Sequence, residues 1–319
     1  MGKSNANLNR AREEKNDEFY TRYEDIAKEM VYYTEHFKDK VIYCNCDDPF
    51  KSNFVRYFIV NFHAFGLKRV IATCFKDEEK KRFNFGHRKY AKGTFLDYHG
   101  ELGDVVRDFP IDLISPYTRL LEGNGDFRNK ECQELLDESD IVVTNPPFSL
   151  FKEFLLLLEE HGKKYIVLGN GNAVAYKEVF PLIKENKVWL GIKRIGGRFD
   201  FIVPKSHDGK YVRERDGVRI AEVSNACWFT NLDHKHRPEF LSLNKKYYPS
   251  IYPKYDNYDA IEVSKVADIP MDYDGLIGVP ITILDRYNPE QFEIVGLLGD
   301  GLVGGKELYK RILIRKRSN

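Results

Sequence analysis

Apolar positions follow two patterns along the chain. Short apolar runs at 40–49 ("KVIYCNCDDP", ending in an acidic turn), 68–75, 140–145, 163–170, 187–193 and 225–232 predict buried strands. Between them, amphipathic spacing predicts helices over 22–37, 52–66, 131–139, the stretch after Phe148, and 176–186. Ser52 is placed to cap the second of these helices, and Gly66 to stop it. A further strand is expected near 93–98, inside an otherwise charged and irregular stretch, 76–110. Strands alternating with helices imply right-handed βαβ units, so the expected class is α/β: a mostly parallel twisted sheet flanked by helices. Such sheets bind ligands at the carboxyl ends of their strands. Asp47, Asp48 and Asn145 all fall there, which predicts one shared crevice. From about residue 233 the texture changes. Tyrosine, proline and aspartate become frequent, and "GLIGVPITILDRY" and "QFEIVGLL" read as strands of a smaller region.

Composition narrows the class. Of 319 residues, 42% are hydrophobic and 31% charged, the balance of a globular protein. The longest apolar runs, such as Phe154 to Leu158, are too short to span a bilayer. The first ten residues carry no secretory pattern, and the expectation is a cytoplasmic protein with a polar, flexible N-terminus at 1–16. Five irregularly spaced cysteines, without a CxxC, read as reduced thiols rather than a disulfide framework or zinc site. The net charge is only +1, but basic residues cluster. The stretches 193–219 and 80–92 interleave lysine and arginine with aromatics, the composition that phosphate contacts and base stacking use. The tail 310–319 is basic and has no acid. For each stretch, solvated surface is the competing reading.

The segment "DIVVTNPPFSLFKEF", 140–154, carries the most specific chemistry. A buried strand runs into Asn145, Pro146, Pro147 and Phe148, and a helix follows. Two prolines end ladder pairing and fix the backbone. Such a turn suits an adenine amine. Its nitrogen is a poor nucleophile because its lone pair is delocalised into the ring. The Asn145 oxygen and the Pro146 carbonyl can each accept one N6 hydrogen bond, drawing the nitrogen toward tetrahedral geometry. Phe148 offers the base a ring to stack on, and the base must leave its duplex to reach it. The alternative is a plain strand-to-helix turn.

Asn-Pro-Pro-Phe after an apolar strand resembles motif IV of the S-adenosylmethionine-dependent N6-adenine DNA methyltransferases. Similar motifs occur in methyltransferases of protein glutamine and RNA guanine. "DEFYTRYEDI" (17–26), "VIYCNCDDP" (41–49), "GNGDFR" (123–128), "YKEVFPLIKENKVWLG" (176–191), "YPKYDNYDAIEV" (252–263) and "NPEQFEIVG" (288–296), in this order, resemble the EcoRI-type adenine-specific methyltransferases over nearly the whole chain. The resemblance implies a Rossmann-like methyltransferase fold. A catalytic domain would span 17–232 and a target-recognition region 233–319. It places Asn145, Pro146, Pro147 and Phe148 at the target base. It sets Phe19, Tyr20 and Thr21 beside the methionine end of S-adenosylmethionine, and Asp126 and Phe127 at the cofactor's adenine. Asn45, Cys46, Asp47 and Asp48 are cofactor candidates by position. That loop lacks the glycines usual in methyltransferases, and the ribose-binding acid expected at the tip of the second strand is missing or displaced to Asp77. Lys193, Arg194, Arg198, Arg213 and Arg215 are candidates for DNA contact, since arginine pairs bidentately with guanine edges. Methyl transfer from a sulfonium requires no metal. The expected function is site-specific adenine-N6 methylation of double-stranded DNA by a monomer, with a cognate restriction endonuclease as a genetic companion only. The alternatives are an RNA or protein-glutamine acceptor, or a DNA-binding protein that has lost catalysis.

Overall fold

The computed structural model describes residues 19–76, 92–204, 212–215, 217–237 and 239–317. The expected flexible N-terminus, 1–16, lies outside them, as do Asp77 and all of the basic stretch 80–92 except Lys92. The protein is a mixed α/β chain that divides into two compact units. One comprises Met1–Gly169 with Arg198–Leu232, the other Asn170–Gly197 with Asp233–Asn319.

The first unit carries strands β1 (Tyr20–Thr21), β2 (Val41–Asn45), β3 (Arg69–Cys74), β4 (Thr94–Tyr98), β5 (Thr118–Leu120), β6 (Ile141–Thr144), β7 (Lys164–Asn170), β8 (Arg198–Ile202), β9 (Val212–Arg215), β10 (Val218–Ser224) and β11 (Ala226–Thr230). Its helices are α1 (Tyr23–Met30), α2 (Asn53–Val60), α3 (Lys130–Glu138) and α4 (Phe151–Glu160). Within this unit the strands of the main sheet run β5-β4-β3-β2-β6-β7-β11. β2 pairs in parallel with β3 on one side and β6 on the other, and β6 with β7. β4 and β5 continue the edge antiparallel. All five residues of β2 are buried. That follows from its central place: both faces are covered, so the sequence shows an unbroken apolar run instead of alternation. The chain leaves β2 first for β3 and later returns on its other side as β6. This reversal opens a crevice at the carboxyl ends of β2 and β6.

The predicted cap is in place. Ser52 Oγ accepts the Phe54 N–H at 3.0 Å, and Gly66 ends the following turns at φ +61°. Phe54, buried on α2, meets Trp228 of β11 edge-on at 5.9 Å. The expected helix over 22–37 is shorter. After Met30 the run Val31–Tyr33 is β-branched and aromatic, a poor helix former. Tyr33 instead turns fully into the core and donates its hydroxyl to Glu29. Among the described residues, no helix is long and apolar enough to cross a membrane.

A second, antiparallel sheet runs β1-β8-β10-β9. From Arg198 on, described residues of the basic segment thus form strands of this sheet. Phe199 and Phe201 point inward, fully buried, and Arg198 and Asp200 lie on the opposite face.

The other unit contains α5 (Phe180–Lys184) and strands β12 (Ala260–Glu262), β13 (Leu276–Pro280), β14 (Phe292–Leu298) and β15 (Arg311–Lys316), ordered β12-β13-β15-β14. Pro181 in the first turn explains why the helix expected from 176 begins only at Phe180. The basic tail, singled out for its charge, supplies an inner strand. Ile312, Leu313 and Ile314 are buried. Arg311 reaches the buried Glu262 at 3.0 Å, and the Tyr255 hydroxyl also donates to that carboxylate.

Candidate active site

β6 delivers Asn145 to the carboxyl edge of the main sheet. Asn145 Nδ2 donates to the Phe19 carbonyl at 2.8 Å. A carbonyl oxygen can only accept, so this contact decides which way the amide faces. Asn145 Oδ1 is then left buried without a hydrogen-bond partner. An unsatisfied buried acceptor costs about 1–3 kcal/mol and calls for an explanation. A hydrogen-bond donor arriving from a ligand supplies one.

Phe19 is held in turn by the second sheet. Tyr20 pairs with Ile202 and Thr21 with Phe201, while Asn53 Nδ2 donates to the Thr21 carbonyl at 2.8 Å. The N-terminal motif and motif IV, 126 residues apart, therefore meet. Phe19 and Phe148 lie nearly parallel, with ring centroids 6.2 Å apart and planes at 16°. Phe201 stands edge-on to both, at 5.6 and 6.0 Å. Phe148 opens a short 3-10 turn, and the Pro147 carbonyl accepts the Leu150 N–H at 2.9 Å to close it. Pro146 is buried beneath. Sequence reasoning missed Phe201. The alternation in "RFDF" was its signal, hidden inside a segment read for charge.

The turn after β2 lies beside this cluster. Asn45 is fully buried. Its Oδ1 accepts from Thr73 Oγ1 at 3.3 Å, and its Nδ2 has no partner. Cys46 adopts φ +80°, a left-handed conformation uncommon outside glycine. Asp48 Oδ1 accepts the Phe50 N–H at 3.0 Å, and its Oδ2 faces Lys76 at 3.5 Å and Lys51 at 3.9 Å. Asp47 is saturated by protein donors: Ser52 Oγ at 2.6 Å, the Thr144 hydroxyl, and the Asn145 backbone N–H. Burial nonetheless pushes its carboxyl up to about 7.

The 123–126 turn packs against the end of β3. Gly125 takes φ +81°, and a Cβ there would sit 2.3 Å from the Cys74 carbonyl oxygen, so only glycine fits. Lys76 N–H donates to the Asn124 carbonyl at 2.9 Å. Asp126 accepts both Nε (2.8 Å) and Nη2 (2.6 Å) of Arg128, whose guanidinium holds the carboxyl below its usual range. Burial raises the neighbouring Cys46 thiol, and the fields of Asp47 and Asp126 add to it. Phe127 is buried, edge-on to Phe154 of α4 at 5.1 Å.

Buried Asn45 Nδ2 and Asn145 Oδ1 are open to a ligand's acceptor and donor, while the Asp48 and Asp126 carboxylates face Lys51, Lys76 and Arg128. Of the basic residues singled out, Arg198, Arg213 and Arg215 belong to the second sheet. Arg198 pairs with Glu222 at 3.1 Å and Arg213 with Asp200 at 2.6 Å. Lys193 and Arg194 lie in the other unit, in the loop before β8, with Arg194 exposed.

Comparison with known proteins agrees with this arrangement. The family model described as adenine-specific methyltransferase EcoRI matches residues 7–318. The chain is 48% identical over 325 residues to type II methyltransferase M.EcoRI of Escherichia coli, covering 98% of this chain and 97% of that protein. It is 38% identical to type II methyltransferase M.MpnI of Mycoplasma pneumoniae, covering 98% of each chain. It is 35% identical to type II methyltransferase M.MgeORF184P of Mycoplasma genitalium, covering 97% of this chain and 98% of that protein. No solved structure matches. A match over nearly the whole length settles the family: the chain belongs to the EcoRI-type adenine-specific methyltransferases.

Proposed function

We propose that this chain methylates N6 of an adenine turned out of duplex DNA, with Asn145, Pro146, Pro147 and Phe148 at the base and S-adenosylmethionine as donor. The observation that carries the reading is Asn145 Oδ1, a buried acceptor fixed by the Phe19 carbonyl and left open beside Phe148. An adenine amine supplies the missing donor. Asn145 Oδ1 accepts one N6 hydrogen, the Pro146 carbonyl accepts the other, and the ring stacks on Phe148. These acceptors are rigid before the base arrives, so little reorganisation is needed in the transition state. The N6 proton leaves to water after transfer.

S-adenosylmethionine, when bound, supplies a methyl group on positively charged sulfur, already activated for transfer. Phe19, Tyr20 and Thr21 flank its methionine end. Asn45, Cys46 and Asp48 line the turn beneath it, and Asp126 with Phe127 closes the adenine end. The parallel core β3-β2-β6-β7 supports a Rossmann-like reading of the fold, with binding at the reversal point between β2 and β6. Residues 17–232 act as the catalytic domain and 233–319 as the target-recognition region. Arg198, Arg213 and Arg215, with Lys193 and Arg194, meet DNA. The exposed ion pairs of Arg198 and Arg213 are worth little in water, so exchanging a carboxylate for a phosphate costs little. The enzyme works in the cytoplasm as a monomer, as the modification half of a restriction–modification pair whose endonuclease is a genetic companion only.

The test is transfer of tritium from labelled cofactor to unmethylated duplex DNA, RNA and protein, followed by nucleoside analysis. Label in N6-methyladenine of DNA is expected. Label confined to RNA or to protein overturns the reading.

A further inference from the structure

We propose that Asp47 is a positioning residue for methyl transfer: its carboxylate holds the Thr144–Asn145 end of β6 against the turn after β2, and does not hold the cofactor. The inference rests on the role proposed above for Asn145.

Ladder pairing between β2 and β6 is recorded at Ile42–Ile141 and Tyr43–Val142, two residues short of Thr144. On its other side β6 pairs with β7 as far as Thr144–Val167, so it is toward β2 that the Thr144–Asn145 end depends on other contacts. Asp47 supplies them. Its Oδ2 accepts the Thr144 hydroxyl, which also contacts the Asn45 carbonyl, and its carboxylate accepts the Asn145 backbone N–H. Its Oδ1 accepts Ser52 Oγ at 2.6 Å, which ties it to the cap of α2. Its own N–H donates to the Thr73 carbonyl of β3 at 2.9 Å. One residue thus links the carboxyl ends of three neighbouring parallel strands and a helix cap. The turn gives this acid no outward role, since its side chain is 7% exposed and both oxygens are engaged.

The arrangement is costly for stability. Desolvation outweighs the three donors, and the charged or titratable groups whose fields Asp47 shares are Asp48 and the thiols of Cys44, Cys46 and Cys74, none of them cationic. An asparagine would avoid that cost. Its amide nitrogen, however, cannot accept: the hydroxyls of Ser52 and Thr144 can turn to accept from it, but the Asn145 N–H can only donate, so asparagine offers one acceptor oxygen to three groups that Asp47 serves with two. Asparagine therefore preserves shape and breaks the grip.

The test compares wild type, Asp47→Asn, Thr144→Val and Thr144→Ser in the full chain. The readouts are single-turnover transfer of tritium from S-adenosylmethionine to genomic DNA of a methylation-free host, cofactor affinity by calorimetry, and thermal melting near pH 8. For Asp47→Asn we expect transfer at saturating cofactor to fall by roughly tenfold or more, cofactor affinity to stay within about twofold, and melting to be unchanged or higher. Thr144→Val should lose transfer in the same way, and Thr144→Ser, which keeps the hydroxyl, should recover it. Three results overturn the proposal. One is wild-type transfer by Asp47→Asn. Another is a loss that appears only as weaker cofactor binding, the mark of a cofactor ligand. The third is a fall in melting that accounts for lost transfer while Thr144→Val stays active, the mark of a merely structural group. If wild type labels RNA or protein instead of DNA, the proposed function falls, and the same variant ratios on that acceptor still decide the role of Asp47.

Discussion

Asn145→Asp separates orientation from mere hydrogen-bond capacity. The substitution keeps the shape of the side chain and offers a stronger acceptor to an N6–H. If acceptance alone mattered, the variant would be active. The structure predicts otherwise. Nδ2 lies 2.8 Å from the Phe19 carbonyl oxygen, so an aspartate oxygen in its place would face another oxygen at contact distance. The Phe19 carbonyl loses its donor, at a cost of about 1–3 kcal/mol, and the carboxylate swings away. Losing one preorganised contact to the reacting group typically slows transfer about 10²–10³-fold, roughly 3–4 kcal/mol. A protonated carboxyl could again donate to Phe19. Burial against a carbonyl raises a carboxyl's pKa, so the variant should regain activity relative to wild type as pH falls toward about 5. Single-turnover labelling of DNA from about pH 5 to pH 8, with Asn145→Ala as the reference, reads this directly. Activity within about threefold of wild type at the upper end, or a pH profile parallel to wild type, refutes the reasoning.

Other consequences are equally checkable. Phe148→Ala should raise KM for DNA and slow transfer by a combined factor matching lost base stacking, about 1–3 kcal/mol, with cofactor binding preserved; equal loss of cofactor affinity would place Phe148 elsewhere. Asp47 has a folded-state pKa near 7, raised from 3.8 by burial, so its contribution to stability is full below about pH 4 and is lost as pH rises through 7. Complete ionisation costs on the order of 4 kcal/mol, and Asp47→Asn should flatten the fall of wild-type melting temperature between pH 5 and 8; identical slopes would count against a buried, raised carboxyl. Arg311→Met leaves Glu262 buried without its cation and should destabilise the protein by about 3–5 kcal/mol in chemical denaturation, and a change under about 1 kcal/mol would mean the pair is solvated.

Local signals were legible wherever a residue answers to its neighbours. The unbroken apolar run of β2 foretold a central strand, and Ser52 is the cap its position implied. The strand, two prolines and phenylalanine of motif IV identified the chemistry before any contact was visible. What escaped depends on residues distant in the chain. The sense of the Asn145 amide is fixed by Phe19, and Phe19 by pairing with β8. No local pattern carries that register. The basic stretch from Lys193, a candidate for DNA contact by its charge, hides a buried face because strand alternation puts its phenylalanines on one face and its arginines on the other. The basic tail misleads for a related reason. Three buried aliphatics between arginines are too short a run to stand out from charge, although they form an inner strand. Asp47, an acid in an acidic turn, shows in the sequence neither its burial nor its contacts with Ser52 and Thr144.

The most direct measurement is a map of modified bases. The wild-type protein and Asn145→Ala are each expressed in a host without DNA methylation, and the genomes are read by single-molecule sequencing. N6-methyladenine at one short sequence is expected with the wild type and none with the variant. An unmodified genome from folded, cofactor-binding wild type, or an undiminished pattern from Asn145→Ala, would contradict it.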